Sequence, residues 1–485
     1  MEVPPVLAGR LQQDSPRLGP GASLQVMVFV FFSSLRGRLR LLVSRLADLD
    51  TPGQLRRIEV MARTLRTRSG CRIATGAFER RNYSRDMARI PRLLEKTLYR
   101  TRPLLAVQPR CEGDVLATLQ FARERGLPVF PRGVSSSAFG GAVPTQNGIV
   151  MDFSAMTGIL ALDHAGLTAR LQPGVRWADL AAHLEPLGLA PVTTPSSRFS
   201  TVGGWASTGG LGMDGFGYGH FIQAVAALRI ALVDGRVLQL ASTDDGFRDF
   251  VGTEGQLGVI TELVLRVKAK SGYSSPKLMY FEDAQSAFEC LECLKAGGHR
   301  PSHVAFYDRE RMSEENRLFR ERTGLGESIV EERESLLLHF DSAACERDFA
   351  ASPQSALGTA ANGAAARYLW SERFFPLKAQ RLGPGLLACE VVLPAGSVPG
   401  FIDRVRRLAA RFELRPAIEA IVSHNEQTEA CVVIASFSCD PTRLWNYCLR
   451  LALVQILVHQ AMKMKGRPYG MGILNAPFFA GSYSA

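Results

Sequence analysis

The hydrophobic pattern changes character twice along the chain. Residues 1–24 are rich in Pro, Gly and Gln and carry no period, which predicts a disordered leader. Residues 25–100 read as helical and basic, with a break at Pro52–Gly53. From Leu105 the runs shorten. Leu105–Val107 reads as a strand, and Asp114–Arg125 as a helix with Val115, Leu116, Leu119 and Ala122 on one face. Leu127–Phe130, Gly148–Asp152 and Thr168–Leu171 read as further strands, and Trp177–Leu187 as a helix ending near Gly188. Leu228–Val233 and Val237–Leu240 flank Asp234–Gly235, a hairpin turn. Val259–Val267 is one more strand.

A second pattern starts near residue 275. Strands at Leu278–Phe281, Val304–Tyr307, Leu387–Leu393 and Cys431–Phe437 alternate with helices at Ala284–Lys295, Val398–Phe412 and Thr442–Met464. That alternation predicts an antiparallel sheet with helices on one face. Residues 313–366 read as less regular. The fold class is therefore α+β. The expected organisation is a leader and basic helical extension over 1–99, a turn-rich domain over 100–270, and a second α+β domain over 271–485.

Composition narrows the function classes. The 485 residues are 46% hydrophobic and 21% charged, enough to bury a full core. The formal charge of +11 has no Lys/Arg run with interleaved aromatics behind it, so no nucleic-acid partner is expected; the excess reads as a solvated arginine-rich surface. Nine cysteines without framework spacing indicate a reducing, cytoplasmic setting. Cys290 and Cys293, a CxxC within an apolar helical stretch, read as buried small hydrophobes. Val26–Phe32 is too short to span a bilayer. Leu35, Leu39, Leu42 and Leu46 recur at helical spacing among arginines. That helix packs on the body or a partner, or lies peripherally on the inner membrane face; both readings stay open.

The chemistry sits in three glycine-rich segments: Pro131–Gly141 (PRGVSSSAFGG), Thr201–Gly219 (TVGGWASTGGLGMDGFGYG) and Gly252–Glu262 (GTEGQLGVITE). Glycine lets the backbone approach a ligand and adopt positive φ, and consecutive exposed amides make an anion site. Three such segments in series indicate a chain wrapped around a large phosphate-bearing cofactor. Arg132 either pairs with a phosphate or braces the turn. Glu254 binds a hydroxyl or caps a turn. No segment has the G-x-G-x-x-G of a dinucleotide fold after the first strand or ends in a Walker lysine.

Together these segments resemble the PCMH-type FAD-binding domain of the vanillyl-alcohol oxidase family, in its D-lactate/glycolate dehydrogenase-like branch. The phosphate loop stands as Pro131, Arg132, Gly133, Val134, Ser135, Ser136, Ser137, Gly140 and Gly141, with Val134 and Ser135 replacing family glycines. Pro195, Ser196, Ser197, Thr201, Gly203, Gly204, Ala206, Tyr218 and Gly219 match the second motif, and Gly252–Glu262 matches the third. The resemblance implies a two-lobed FAD-binding domain and a ferredoxin-like cap. It implies FAD held by Pro131–Ser137, Gly141, Pro195, Ser196, Thr201, Gly203, Gly204, Ser207, Gly212, Tyr218, Gly219, Glu254, Gly255, Gly258, Val259 and Ile260. Covalent relatives carry a flavin-linking histidine where Ser136 stands, so FAD is expected to be non-covalent. Relatives also continue past Arg467–Asn475 to a tail that this sequence lacks.

The implied reaction removes hydride from the CH–OH carbon of a small-molecule substrate, a D-2-hydroxy acid such as D-lactate or glycolate. Relatives place a W-x-x-R in the cap; here Trp370–Arg373, with Lys378 and Arg381, is the expected cation set for a substrate carboxylate. His424 is the candidate base, and Glu390 resembles a cap acid. The family's metal-binding histidine segment is missing, Cys431 standing at the second position, so no metal is expected. Electrons would leave to a quinone, an electron-transfer flavoprotein or an iron–sulfur partner subunit. Two alternatives stay open: a non-catalytic flavoprotein subunit, and a different alcohol, sugar or lactone oxidase on the same fold.

Overall fold

The computed structural model describes residues 51–88, 102–296, 300–374, 376–424, 429–470, 472–475 and 478. The chain divides after Thr51, and the unit described is Pro52–Ala485. The expected leader and the basic Leu35–Leu46 helix lie outside the described residues. No helix among those described is long and apolar enough to cross a membrane.

The first sheet has the order β1-β2-β4-β3, from β1 (Arg72–Ala74), β2 (Leu105–Gln108), β3 (Val129–Arg132) and β4 (Ile149–Asp152). β2, β4 and β3 run parallel. Parallel neighbours need a crossover, and helix Glu112–Glu124 supplies it, burying Val115, Leu119, Phe121 and Ala122. Helix Pro52–Arg66 buries Ile58, Met61, Ala62 and Leu65 in the same core. Its first residue is a proline, which suits the first turn because its missing N–H has no partner there. The break read at Pro52–Gly53 is thus a helix start.

The second sheet combines β5 (Ile159–Asp163), β6 (Thr168–Leu171), β7 (Leu189–Pro191), β8 (Val225–Ala231), β9 (Val237–Ala241) and β10 (Val259–Ala269). The β8–β9 hairpin turns at Asp234–Gly235 as expected, with Gly235 at φ 91°. Trp177, Trp205 and Phe221 meet edge-on or tilted in its core.

The third sheet is fully antiparallel. Its order is β14-β11-β13-β12-β16-β17-β15-β18, from β11 (Ser275–Phe281), β12 (His303–Tyr307), β13 (Glu334–Phe340), β14 (Thr359–Ala360), β15 (Gly385–Pro394), β16 (Ala417–His424), β17 (Glu429–Cys439) and β18 (Arg467–Pro468). One face packs on helices Ala284–Ala296, Val398–Ala410 and Leu444–Lys463 through Val304, Phe306, Leu336, Val422 and Val433. The alternate positions Tyr280, Ala305, Tyr307, Leu337 and Ile421 meet helices Arg309–Thr323 and Gly363–Glu372 on the other face. Helices therefore cover both faces, against the expectation of one. Residues 313–366 also prove regular. Helix Arg309–Thr323 escaped notice because its buried side carries Arg311, Glu315 and Asn316, so no apolar stripe marks it. Of the CxxC pair, Cys290 is buried in the core and Cys293 is exposed, which corrects the reading of both as buried.

Candidate functional site

The glycine segments close around one cavity of about 280 Å³. Pro131–Ser137, Gly141, Pro195, Ser196, Thr201, Gly203, Gly204, Ser207, Gly212, Glu254, Gly255, Gly258, Val259 and Ile260 all line it. Tyr218 and Gly219 do not. Tyr218 donates its hydroxyl to the Asp341 carboxylate, with the Lys268 ammonium 3.2 Å above its ring, so it joins the glycine-rich segment to the third sheet.

Missing side chains shape the cavity wall. A β-carbon on Gly133 would stand 2.3 Å from Thr201 Oγ1, and one on Gly203 would stand 2.4 Å from Pro173. Gly212, at φ 101°, has Thr193 Oγ1 2.0 Å from where its β-carbon would be. Ser135 is also left-handed, at φ 58°, and its buried Oγ has no hydrogen-bond partner among the described residues. A buried hydroxyl without a partner is costly unless a ligand satisfies it. Arg132 braces the turn: its Nη1 donates to the carbonyls of Tyr83, Arg85 and Ala142 at 3.3, 2.8 and 3.2 Å. Glu254 accepts from the Gly472 amide at 3.2 Å, holding the following chain against the cavity.

The far wall comes from the third sheet. Glu390, Ile421, Val432 and Ile434 line it, with Leu377 and Tyr469. They occupy alternate positions on β15, β16 and β17, the face opposite the helix-packed core. Glu390 and Glu419 both pair in register with Ile434, so the two carboxylates lie on one line across the sheet. Burial, reinforced by Glu419, pushes the Glu390 carboxyl up to about 7. Ile421, Val432, Ile434 and Tyr469 escaped the sequence reading. The signal that finds them is their period-2 alignment with Glu390 once the strands are in register.

Of the four candidate catalytic residues, only Glu390 lines the cavity. His424 ends β16 in the register of Ala420 and Val422, which face the helix-packed core, and its ring lies 6.4 Å from Phe216. Arg373 follows helix Gly363–Glu372, its guanidinium 3.4 Å from the centre of the Trp370 ring and 4.0 Å from that of Phe374. Burial lowers it to about 10. Lys378 is bound to Glu315 at 3.1 Å and to Glu372 at 3.2 Å. Cys431 is fully buried in the core, and no group of three metal-ligating side chains occurs among the described residues.

Residues 103–241 match the family model described as an FAD binding domain. The glycolate oxidase subunit GlcD of Bacillus subtilis is 27% identical over 338 residues, covering 65% of this chain and 70% of that protein. A D-lactate dehydrogenase of Anaerostipes hadrus is 33% identical over 181 residues, 36% of this chain and 38% of that one. Among solved structures, p-cresol methylhydroxylase with substrate bound superposes with a TM-score of 0.70 at 15% identity, over 90% of this chain and 92% of that chain.

Proposed function

We propose, for a chain of the PCMH-type FAD-binding oxidoreductase family with FAD as its cofactor, that it dehydrogenates the CH–OH carbon of a small alcohol, with Glu390 as the base. The observation that carries this reading is the placement of Glu390 on the same cavity as all three glycine segments.

The residues present suit FAD. The amides of Gly133–Ser137 form a side-chain-poor turn for a pyrophosphate, and Ser135 Oγ is a buried group in need of a partner. Gly203, Gly204, Gly255 and Gly258 line the cavity, and a β-carbon on each would press on Pro173, Thr201, Pro131 or Ile230, so glycine lets these segments pack closely around it. No histidine or cysteine is among the described residues that line the cavity, and Ser136 lines it where covalent relatives carry their linking histidine, which supports non-covalent binding. When bound, FAD supplies the two-electron acceptor.

The chain supplies orientation and a proton acceptor. Burial raises this carboxyl toward neutrality, which suits it to take a hydroxyl proton. The main-chain amide of Tyr469 donates to the Glu390 carbonyl at 3.0 Å, and Tyr469 Oη accepts from the Leu211 amide at 3.3 Å. The base is thereby tied to the glycine-rich segment.

Two substrate classes follow. The relatives named for glycolate and D-lactate suggest a D-2-hydroxy acid, and Arg373 has a buried Nε without a hydrogen-bond partner that such an acid would engage if the side chain turned inward. The cavity lining favours an uncharged alcohol or phenol-type alcohol instead. Among the described residues its lining holds one cation, Arg132, already bound to three carbonyls, and the wall near Glu390 is Ile421, Val432 and Ile434. Anaerobic bleaching of the flavin by D-lactate, glycolate and benzylic alcohols separates the two. Bleaching by at least one substrate, lost in Glu390→Gln, is expected. No bleaching by any alcohol overturns the proposal and favours a non-catalytic flavoprotein subunit; undiminished bleaching in Glu390→Gln overturns Glu390 as the base. Reduced flavin must hand its electrons on, and a separate electron-transfer chain is the proposed partner.

A further inference from the structure

Behind Glu390 lies a second, smaller cavity of about 20 Å³, room for a single water. Glu390, Leu377 and Ile434 line both cavities, so these three side chains form the partition between them. The walls of the small cavity include Arg311 and Glu314, from helix Arg309–Thr323, and Glu419. Arg311 Nη1 and Glu314 Oε2 are buried without a hydrogen-bond partner and stand 3.7 Å apart, an ion pair with no bond made. The rest of the guanidinium is engaged: Nε donates to Glu419 at 3.1 Å and Nη2 to Glu315 at 2.7 Å. The Glu314 side chain is 18% exposed, so it reaches from this cavity toward solvent.

We propose that the small cavity holds one water, bound by Arg311 Nη1 and Glu314 Oε2, and that this water carries the proton taken by Glu390 out to Glu314 and solvent. The step rests on the reading of Glu390 as the base. As the substrate's C=O forms, its hydroxyl proton would pass to the Glu390 carboxylate, and FAD, when bound, would supply the acceptor for the C–H electron pair. Protonated Glu390 then gives its proton to the water oxygen while a water O–H passes its own to Glu314 Oε2. One proton moves outward and the water is regenerated. Arg311 is a positioning residue that fixes the water and keeps Glu314 an acceptor.

Two variants and a structure test this. A high-resolution crystal structure of the FAD-loaded protein is expected to show a water within hydrogen-bond distance of both atoms. Glu314→Gln removes the acceptor; Ala388→Val fills the cavity without changing any charge. Each is expected to slow repeated turnover with an artificial electron acceptor by about tenfold and to raise its solvent deuterium isotope effect, with FAD affinity unchanged. Glu314→Asp is expected to restore most of the rate. A dry cavity, or both variants turning over at the wild-type rate while Glu390→Gln is slow, overturns the relay and leaves Glu390 as the base. Wild-type reduction in Glu390→Gln overturns the base reading and the relay with it.

Discussion

A β-carbon on Gly133 would lie 2.3 Å from Thr201 Oγ1. That hydroxyl is fixed, because it accepts from the Gly204 amide at 3.2 Å and caps helix Val202–Thr208. The phosphate-loop candidate and the second glycine segment therefore interlock through an absent side chain. Gly133→Ala must push the two apart. Overpacking of this kind costs about 1–3 kcal/mol, and the displaced amides are expected to bind FAD at least about tenfold more weakly. Calorimetric titration with FAD and a melting curve of the apoprotein check both. Lost stability with unchanged FAD affinity would detach this loop from the cofactor.

Glu390 gives the protein a pH signature. Its carboxyl is raised from 4.5 to about 7 in the fold. Between those values the folded state binds more protons than the unfolded state, so this group makes stability fall as pH rises through that window. Glu390→Gln is expected to remove this slope, leaving the variant the more stable protein at pH 8 relative to wild type. Melting temperatures across that range decide it, and parallel pH profiles for the two proteins would place the raised carboxyl elsewhere.

His303 acts on the opposite side. It is fully buried, its Nδ1 bonded to the Met213 carbonyl, and burial lowers it from 6.5 to about 3. Arg373 and His339 press it further in the same direction. The unfolded chain takes up a proton that the fold refuses, so stability is lost as pH falls below about 6.5. His303→Gln is expected to flatten the acid limb of the stability curve. An unchanged limb would assign it to other groups.

Arg373 is held against Trp370 and Phe374 rather than presented to the cavity. Arg373→Ala is accordingly expected to raise KM for an acidic and a neutral alcohol by the same factor, and to lower the melting temperature. A KM rise confined to the acid would return Arg373 to the carboxylate role and favour the hydroxy-acid reading.

The two halves of the site differ in how far the sequence reveals them. The glycine-lined wall is written as local runs, because closely approached backbone demands glycine at fixed offsets; of the residues expected to hold FAD, Tyr218 and Gly219 lie off the cavity. The wall from the third sheet is written across strands. Glu390, Ile434 and Glu419 form a row only after β15, β17 and β16 pair, and no local pattern announces that register. His424 looked suitable as a base by residue type, yet strand alternation puts it in the register of the core face. Helix Arg309–Thr323 was hidden for a different reason: Arg311, Glu315 and Asn316 are buried beside Met312 and Leu318, which breaks the apolar stripe that marks a helix.

Titration of the purified apoprotein with FAD, followed by denaturation and filtration, tests the central claim most directly. The expected result is uptake of an equimolar amount of FAD with the visible absorbance of bound flavin, weakened by Gly133→Ala, and full release of the flavin once the chain unfolds. Failure to take up flavin, or flavin that stays with the denatured chain, would contradict a non-covalent site built from these three segments.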